Sequence, residues 1–343
     1  MQISRIGLDL AKNVFQVHGV DDGGKVVVMR QLRRGQVIEF FRRLSPCLVG
    51  MEACATAHHW ARELTKLGHN VRLMPDSYVK AYVRRQKNDV ADAAAICEAV
   101  TRPSMRFVPI KTTEQQAALM LHRSRDLLVR QRTQLINAIR AHLAEIGLIS
   151  AAGAEGLRSL LGTVRGADEA GQLPAPMQQA LQALIDQLAS LQEQIGTLER
   201  SIHAQHRAND ECRRLETIPG VGVIGATAIA ATIADPSAFK SGRELAAWIG
   251  LVPRQNSTGG KQKLGGISKQ GDRYLRRLLI VGATAVIRHA RTHPQKHPWI
   301  MRLLAKMPAK KAAVALANKM ARIAWAILAK GGTYRAPALA VAA

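Results

Sequence analysis

The sequence predicts a mixed α/β N-terminal domain followed by mainly helical domains, and three patterns in its 343 residues carry this prediction. Strand and helix patterns alternate over the first hundred residues. An apolar heptad repeat runs through 177–202, and the last third contains helix patterns separated by turns and one polar loop. We therefore expect domains at 1–110, 111–210 and 211–343.

The N-terminal pattern begins with three strands. The segments RIGLDLA, NVFQVHGV and KVVVMRQL each have the composition of a strand, and the turn DDGG joins the second to the third. A helix at about 35–44, the strand CLVGMEA, a helix at 57–67, the strand NVRLMP and further helices from Ser77 follow in that order. Hairpin strands followed by βαβ units predict a mixed sheet flanked by helices.

The middle of the chain predicts two long helices. Residues 113–147 have one apolar side, and 150–176 contain the Gly and Pro punctuation of a connection with one short helix. Apolar residues then recur at alternating spacings of 4 and 3, which is typical of a coiled-coil seam: Met177, Leu181, Leu184, Leu188, Leu191, Ile195, Leu198 and Ile202. We expect this helix to pair with 113–147 in the same chain or with another protomer, and to assist self-association.

The C-terminal pattern begins at Arg213. A turn and helix come first, then a second helix and turn within AFKSGRELAAWIGLVP, and then the polar, glycine-rich loop RQNSTGGKQKLGGISKQG. A basic helix at 272–290 and more helix from about 299 to 329 complete it.

The charge of the chain predicts a polyanionic partner. Lys and Arg outnumber Asp and Glu by 49 to 25, which gives a formal net charge of +24. Between Lys261 and Arg335 there are 17 Lys and Arg and a single acid, Asp272. A solvated basic surface is the alternative, but nucleic acid is the simplest partner of such a segment.

Cysteine use and hydropathy predict a reducing, cytoplasmic environment. The four cysteines contain no CxxC pair, so neither a zinc site nor a disulfide framework is expected. No apolar run reaches the ~18 residues of a membrane span, and MQISRIGLDLAKN lacks the charged-then-apolar order of a signal peptide. We expect no membrane partner.

Four acids follow the predicted elements in a suggestive order. Asp9 ends the first strand, Glu52 ends the fourth, and Asp89 and Asp92 lie three apart on a helix, so that they share a face. Each acid alone is also explained as a turn, cap or helix-terminus residue. If the sheet brings them together, their mutual repulsion is tolerable around Mg²⁺, or Mn²⁺, in the ribonuclease-H-like metal-nuclease layout, where two such ions clamp a phosphodiester.

The polar loop offers a nucleophile. Ser257 precedes Thr258-Gly259-Gly260 in a basic segment, and its hydroxyl could attack phosphorus or could merely hydrogen-bond a phosphate. Thr258 and Ser268 compete with it for the role. The cations expected to contact nucleic acid are Arg254, Lys261, Lys263, Lys269, Arg273, Arg276 and Arg277.

IPGVGVIGATA has two interpretations. Gly220, Gly222 and Gly225 match GxGxxG, but no apolar strand precedes them, so a dinucleotide site is not expected. A helix-hairpin-helix turn fits better, with the amides of Gly220 and Gly222 at a DNA phosphate, and plain helix punctuation is the alternative.

Histidines and tryptophans carry weaker signals. His289, His293 and His297 have helical spacing, but Pro294 and Pro298 interrupt the helix that would align them, so no metal site is expected there. The tryptophans are interpreted as core residues rather than base-stacking platforms: Trp60, Trp248, Trp299 and Trp325.

The segments IGLDLAK, GMEA, KNDVADA, IPGVG and GLVPRQNSTGGKQKLGGISKQGDRYLRRLL together resemble, in register over nearly the whole chain, the insertion-sequence 110 family of transposases, with the last loop closest to its 1111 subgroup. The resemblance implies a RuvC-like domain, a coiled coil and a helical transposase domain. It places the family's Asp-Glu-Asp-Asp tetrad on Asp9, Glu52, Asp89 and Asp92 and its nucleophilic serine on Ser257, with Thr in place of a second Ser beside it.

The resemblance also implies a mechanism and partners. These enzymes form a covalent phosphoserine, as serine recombinases do, in a composite site with acids of another protomer. A structured non-coding RNA from the element, the bridge RNA, pairs with donor and target DNA. We therefore expect a nucleoid-associated homo-oligomer, a dimer or tetramer. The alternative is a RuvC-like metal-dependent nuclease or resolvase without a covalent intermediate, and a non-catalytic nucleic-acid scaffold is a third hypothesis.

Overall fold

A computed structural model describes residues 2–83, 88–169 and 173–336, and the side chains of 167–169 are outside that description. Lys87 of the KNDVADA motif and the last seven residues of the expected 211–343 domain therefore lie outside the described residues. The chain divides into two compact units, Met1–Gln116 with Ile233–Glu244 and Ala117–Thr232 with Leu245–Ala343.

The first unit contains the predicted mixed sheet. Its strand order is β3-β2-β1-β4-β5, in which β1, β2 and β3 are antiparallel neighbours and β4 runs parallel to both β1 and β5. The hairpin strands and the βαβ units therefore form one sheet, as predicted. The strands are β1 Arg5–Leu10, β2 Val14–Val20, β3 Val26–Arg33, β4 Leu48–Glu52 and β5 Asn70–Met74.

Helices cover both faces of this sheet: α1 Val37–Arg42, α2 Ala57–Lys66, α3 Asp76–Val79 and α4 Asp89–Ala99. Because side chains alternate along a strand, β1 sends Ile6 and Leu8 into the core beneath α2, where Trp60 packs edge-on against Phe15 at 5.1 Å between ring centroids. Residues of the opposite parity face α4, and this second face carries the acids of interest.

The second unit begins with long helices: α5 Thr113–Ala144, which starts in the first unit, α6 Ala154–Glu169 and α7 Ala175–Ala208. Ile139 and Leu143 of α5, Leu160 of α6 and Leu181 and Leu188 of α7 form one apolar cluster. The heptad side of α7 is thus packed against helices of the same chain.

The segment predicted as a connection with one short helix is mostly α6, which is 16 residues long. Burial of Leu157, Leu160 and Val164 against α5 and α7 outweighs the weak helix propensity of Gly156, Gly162 and Gly166 in the same segment. The one predicted helix is therefore present but longer than expected.

The rest of the second unit consists of shorter helices around α11 and α13, which pack against each other. The helices are α8 Asp210–Glu216, α9 Val223–Thr232, α10 Gly242–Trp248, α11 Arg273–Thr292, α12 Pro298–Lys306 and α13 Ala309–Lys330, of which α10 begins in the first unit. The segment predicted as a polar loop contains a two-stranded hairpin of β6 Pro253–Gln255 and β7 Leu264–Ile267, which corrects the prediction. Its glycine-rich sequence shows no strand pattern.

Among the described residues, α13 alone is long and apolar enough to cross a membrane by length and composition. Lys319 and Arg322 interrupt its apolar residues, and 44% of its most apolar window is buried within the protein. Packing against α11 is the ordinary environment of a core helix, and this accounts for its hydropathy.

Candidate functional site

Two acids lie at one edge of the sheet in the first unit. Because β1 and β4 are parallel neighbours, their carboxyl ends meet at the same edge, where Asp9 and Glu52 stand. Asp9 has the same parity on β1 as Gly7, and Glu52 the same parity on β4 as Gly50, so both face α4. The side-chain alternation of the strands thus directs both carboxylates to the helix that carries the other two acids.

The helix α4 begins at the site. Asn88 caps it by accepting a hydrogen bond from the Ala91 N–H at 2.8 Å, so that Asp89 and Asp92 fall in its first turn. Carboxylate oxygens of Asp9, Asp89 and Asp92 all lie within 4.8 Å of one another. Asp89 is exposed and the other two are half-buried, which leaves the group open to a ligand on one side.

Gly7 allows α4 to approach the sheet closely. A Cβ atom at this position would lie 2.1 Å from the Ala93 carbonyl oxygen and 2.5 Å from the Cys97 amide nitrogen, both backbone atoms of α4. Helix backbone therefore rests directly on strand backbone beside Asp9. The separation of Asp9 from Asp92 depends on this contact.

Replacement of Gly7 by alanine is expected to push α4 off the sheet. Overpacking of this kind costs about 1–3 kcal/mol, because the contacting atoms are backbone and cannot rotate away. Chemical denaturation should show the loss, with Gly35→Ala as the matched control, since no atom lies within 4 Å of a Cβ built at Gly35. Equal stability of the two variants would contradict the contact.

Glu52 is electrostatically coupled to the other acids. Its pKa is raised, first by burial and then by the negative charges of Asp9, Asp76 and Asp92, while Lys80 opposes the shift. Carboxylates that raise one another's pKa are crowded, and a hard divalent cation is the ligand that relieves such crowding. Among the described residues, Glu52 is not part of the compact group of three aspartates, although its coupling places it beside Asp9 and Asp92. The oxygen donors of the three aspartates suit Mg²⁺ and Mn²⁺ equally.

Asp76 is a fifth acid that the sequence reasoning missed. It follows β5, the third strand of the parallel set, and forms an ion pair with Lys80 at 3.2 Å. A signal was present, because an acid directly after NVRLMP must stand at the same sheet edge as Asp9 and Glu52. Asp76 thus pairs with Lys80 and also adds negative charge beside Glu52.

The second unit presents Ser257 near the tip of the β6–β7 hairpin. Its Oγ accepts hydrogen bonds from Gln255 Nε2 at 3.1 Å and from the Lys263 backbone N–H at 3.3 Å, and the residue is exposed. Two donors on one hydroxyl oxygen would stabilise negative charge developing there.

The two competitors of Ser257 are placed differently. Thr258 is exposed and bridges to Lys261 in the turn. Ser268 lies beyond β7, where its Oγ is buried and has no hydrogen-bond partner among the described residues. A buried hydroxyl cannot reach a DNA phosphate, so Ser257 and Thr258 are the accessible pair.

The seven cations predicted to contact nucleic acid fall into two groups. Lys261, Lys263, Lys269 and Arg273 are exposed around the hairpin. Arg254 and Arg277 are exposed as well, but the remaining three arginines have partners within the protein. Arg254 donates to the Ser268 carbonyl at 3.3 Å, and the half-buried Arg276 donates to the carbonyls of Ile249 and Gln270, both at 2.7 Å. Arg277 pairs with Asp126 and lies over the Tyr274 ring. These three arginines hold the hairpin and α11 in place.

The IPGVG turn joins α8 to α9, and its glycines are exposed. Gly220 has a φ of +87°, and a Cβ there would lie 2.8 Å from the Gly282 carbonyl oxygen of α11. Glycine is therefore required for the turn itself and for its close contact with α11. No atom lies within 4 Å of a Cβ built at Gly222, so its surroundings are open.

A buried polar network joins α5, α7 and α11. His122 Nδ1 lies 3.1 Å from the Tyr274 hydroxyl, and Arg125 bonds Glu199 at 2.6 Å. Burial, assisted by the charge of Arg125, lowers the pKa of His122 to about 4. His122 is therefore neutral at physiological pH, and the network has a fixed protonation state.

Acid is expected to destabilise the second unit through His122. Its pKa is about 4 when folded and 6.5 when unfolded, so the unfolded state binds more protons between these values and stability falls as pH decreases from 6.5 to 4. From pH 7 to pH 4.5 the wild type should lose about 2 kcal/mol more than His122→Gln. Urea unfolding at both pH values checks this, with the exposed His142→Gln on the same helix as control. A parallel pH dependence in wild type and His122→Gln would contradict the assignment.

The three C-terminal histidines meet despite the prolines between them. A 3₁₀ turn at Pro294–Lys296 reverses the chain, so that His289 Nδ1 lies 3.1 Å from His297 Nε2 and the His293 ring stacks on that of His289 at 4.4 Å. The prolines interrupt the helix as predicted, and the turn that replaces it brings the three rings together. Within the described part of the chain, only Asp9, Asp89 and Asp92 form a three-ligand group compact enough for a metal ion.

Comparison with known proteins matches both units. A DEDD-type profile of IS110 elements described as "Transposase" matches residues 6–148, and the profile "Transposase IS116/IS110/IS902 family" matches 212–298. The chain is 54% identical to a "Probable family 20 transposase" of Pseudomonas aeruginosa, over 98% of this chain and 99% of that protein. It is 43% identical to the transposase for insertion sequence element IS1111A of Coxiella burnetii, over 97% and 92% of the two chains. The identity to the transposase for IS1328 of Yersinia enterocolitica is 40%, over 97% and 98%.

Proposed function

Because this chain belongs to the IS116/IS110/IS902 family of transposases and is a DNA transposase, we propose that it excises and inserts an insertion sequence by cutting and rejoining DNA through a phosphoserine at Ser257. The observation that carries the proposal is the carboxylate group of Asp9, Asp89 and Asp92 within 4.8 Å, in a protein of net charge +24. A metal ion that the acids bind and that in turn contacts a DNA phosphate would explain crowded acids in so basic a chain.

The proposed cleavage step is a transesterification. Ser257 Oγ attacks the phosphorus of a phosphodiester, the Oγ–P bond forms, and the bond from phosphorus to one sugar oxygen breaks. The serine proton leaves with a base, and the departing sugar oxygen takes up a proton. Rejoining reverses these events when a DNA hydroxyl attacks the phosphoserine, so bond energy is conserved and no nucleotide cofactor is needed.

The chain's own groups have distinct roles in this scheme. The Lys263 N–H and Gln255 Nε2 hold the attacking oxygen, while Lys261 and Lys269 offer positive charge to the phosphate. Asp9, Glu52, Asp89 and Asp92 would hold Mg²⁺ or Mn²⁺. A bound divalent ion would neutralise and orient the phosphate oxygens.

The guide and the assembly are part of the same proposal. We infer that an element-encoded non-coding RNA pairs with donor and target DNA, and that a homo-oligomer, a dimer or tetramer in the bacterial cytoplasm, joins the acids of one protomer to Ser257 of another. Between Lys261 and Arg335 there are 17 basic residues and one acid, and this excess of positive charge supports binding to more than one nucleic acid. A metal-dependent nuclease without a covalent intermediate is the competing mechanism.

Excision and insertion of a marked element in cells tests the proposal. Expression of the chain should yield both a resealed donor and a joined target, whereas a hydrolytic nuclease yields broken ends without joints. Deletion of the element's non-coding flanks should stop insertion, and supplying their transcript from a second plasmid should restore it. Insertion at an unchanged target without that transcript would overturn RNA guidance.

A further inference from the structure

A cavity of about 940 Å³ lies within the second unit, separate from the serine hairpin. The IPGVG turn contributes Pro219 to its wall, the helices α11, α12 and α13 contribute mainly apolar side chains, and Tyr334 of the segment after α13 also lines it. Its size is that of a small-molecule site, which typically measures about 300–1,000 Å³. The proposed transposition chemistry does not use it.

The charge of the wall specifies the chemistry of an occupant. Lys296, Arg302 and Lys319 line the cavity, and none of the described residues that line it carries a carboxylate. None of these three cations forms an ion pair with a carboxylate in the part of the chain that the structure describes. Unpaired cations around an apolar cavity favour a ligand with an anionic group and an apolar body.

An aromatic ring stands among these cations. Trp299 is half-buried in the wall, and Lys319 Nζ lies 4.1 Å from its ring centroid. Tyr334 adds a second ring. Aromatic rings beside cations are what unpaired nucleotides require, because bases stack on rings and phosphates contact the cations.

We propose that this cavity binds an unpaired nucleotide of single-stranded DNA or RNA, with its base against Trp299 and its phosphate at Lys296, Arg302 or Lys319. A paired base inside a duplex cannot enter such a cavity, so the site selects nucleotides that are already unpaired or flipped out. This proposal rests on the proposed function only because it requires the chain to bind nucleic acid.

Two single-stranded oligonucleotides that differ only in their bases test the site. A fluorescent twelve-nucleotide thymidine strand and an abasic strand of the same length carry equal phosphates, so their affinities differ through the base. At fixed salt, anisotropy should show the wild type binding the thymidine strand at least about 5-fold more tightly, since stacking contributes about 1–3 kcal/mol per base. A uridine RNA strand distinguishes the two nucleic acids.

Matched variants show whether the preference for the thymidine strand over the abasic strand comes from the cavity. Trp299→Leu should lose it, whereas Trp248→Leu, which changes a 41% exposed tryptophan outside the cavity, should retain it. Lys319→Gln should weaken binding of both strands more than Lys330→Gln on the same helix. Retention of the preference in Trp299→Leu, or equal binding of the two strands by the wild type, would overturn the proposal.

Crosslinking keeps the test independent of how Trp299→Leu folds. A 5-iodouracil strand irradiated on the wild-type chain should attach to Trp299 or Tyr334, and attachment confined to other residues contradicts the site. Concentration-dependent self-association that Trp299→Leu abolishes would show a second copy as the occupant instead. If base preference fails while a serine adduct still forms, the cavity proposal alone is wrong; if the chain binds neither strand nor duplex, the proposed function is wrong.

Discussion

Replacement of Ser257 by alanine is expected to abolish the covalent protein–DNA adduct on a nicked substrate and to reduce recombination by at least about 10³-fold. The variant loses the atom that forms the bond to phosphorus, and the neighbouring Lys263 N–H and Gln255 amide cannot replace it. A denaturing gel of end-labelled DNA after reaction measures the adduct directly, because non-covalent complexes dissociate under those conditions.

Two neighbours provide the controls for this variant. Thr258→Ala removes the other exposed hydroxyl of the turn, and Ser268→Ala removes a buried one, so both variants should retain the adduct. An adduct that persists in Ser257→Ala and disappears in Thr258→Ala would move the nucleophile by one residue. Loss of rejoining without any adduct in the wild type would favour the hydrolytic mechanism.

Much of the acid site was predictable from strand periodicity. Asp9 and Glu52 end apolar runs that read as neighbouring strands, and parallel strands bring their carboxyl ends to one edge. The i, i+3 spacing of Asp89 and Asp92 placed them on one helix face. The close packing of that helix on the sheet could not be predicted from the sequence. A glycine in a strand has many explanations, and only the fold shows that the Ala93 backbone lies against Gly7.

The basic residues were predictable in number but not in role. Composition marks Arg273 and Arg276 equally as cations, yet Arg273 is exposed while Arg276 donates to two backbone carbonyls. Such carbonyl contacts depend on where Ile249 and Gln270 lie in space, which no local pattern encodes. The hairpin within the polar loop escaped prediction for a similar reason, since β6 and β7 are short and lack apolar alternation.

Asp92→Asn is expected to reduce recombination by at least about 10²-fold, and yet to stabilise the metal-free protein. Asp92 lies among the carboxylates that hold a divalent ion in the proposed mechanism, so the uncharged amide weakens ion binding and phosphate neutralisation. Without an ion, the same carboxylate repels Glu52 and contributes to its raised pKa. Removing that repulsion makes the metal-free fold more stable.

Thermal unfolding with and without Mg²⁺ separates these effects. Magnesium should stabilise the wild type by about 1.4 kcal/mol when its concentration is ten times the dissociation constant, and should stabilise Asp92→Asn less. The exposed Asp22→Asn removes the same charge from the β2–β3 turn and should leave the magnesium effect unchanged. If Asp92→Asn destabilised the metal-free protein, or kept the full magnesium effect, the metal assignment would be wrong.

The pH dependence of the metal-free protein follows from the raised pKa of Glu52, which burial raises most and the repulsion from neighbouring acids raises further. Because the pKa of Glu52 is higher folded than unfolded, the folded state keeps a proton that the unfolded state has already released, so stability falls as pH rises through the raised pKa. Asp92→Asn should reduce this fall, and bound Mg²⁺ should remove it by favouring the ionised form. Under the proposed mechanism the site costs stability when empty and gains it when filled, so its crowded aspartates would serve a ligand rather than the fold.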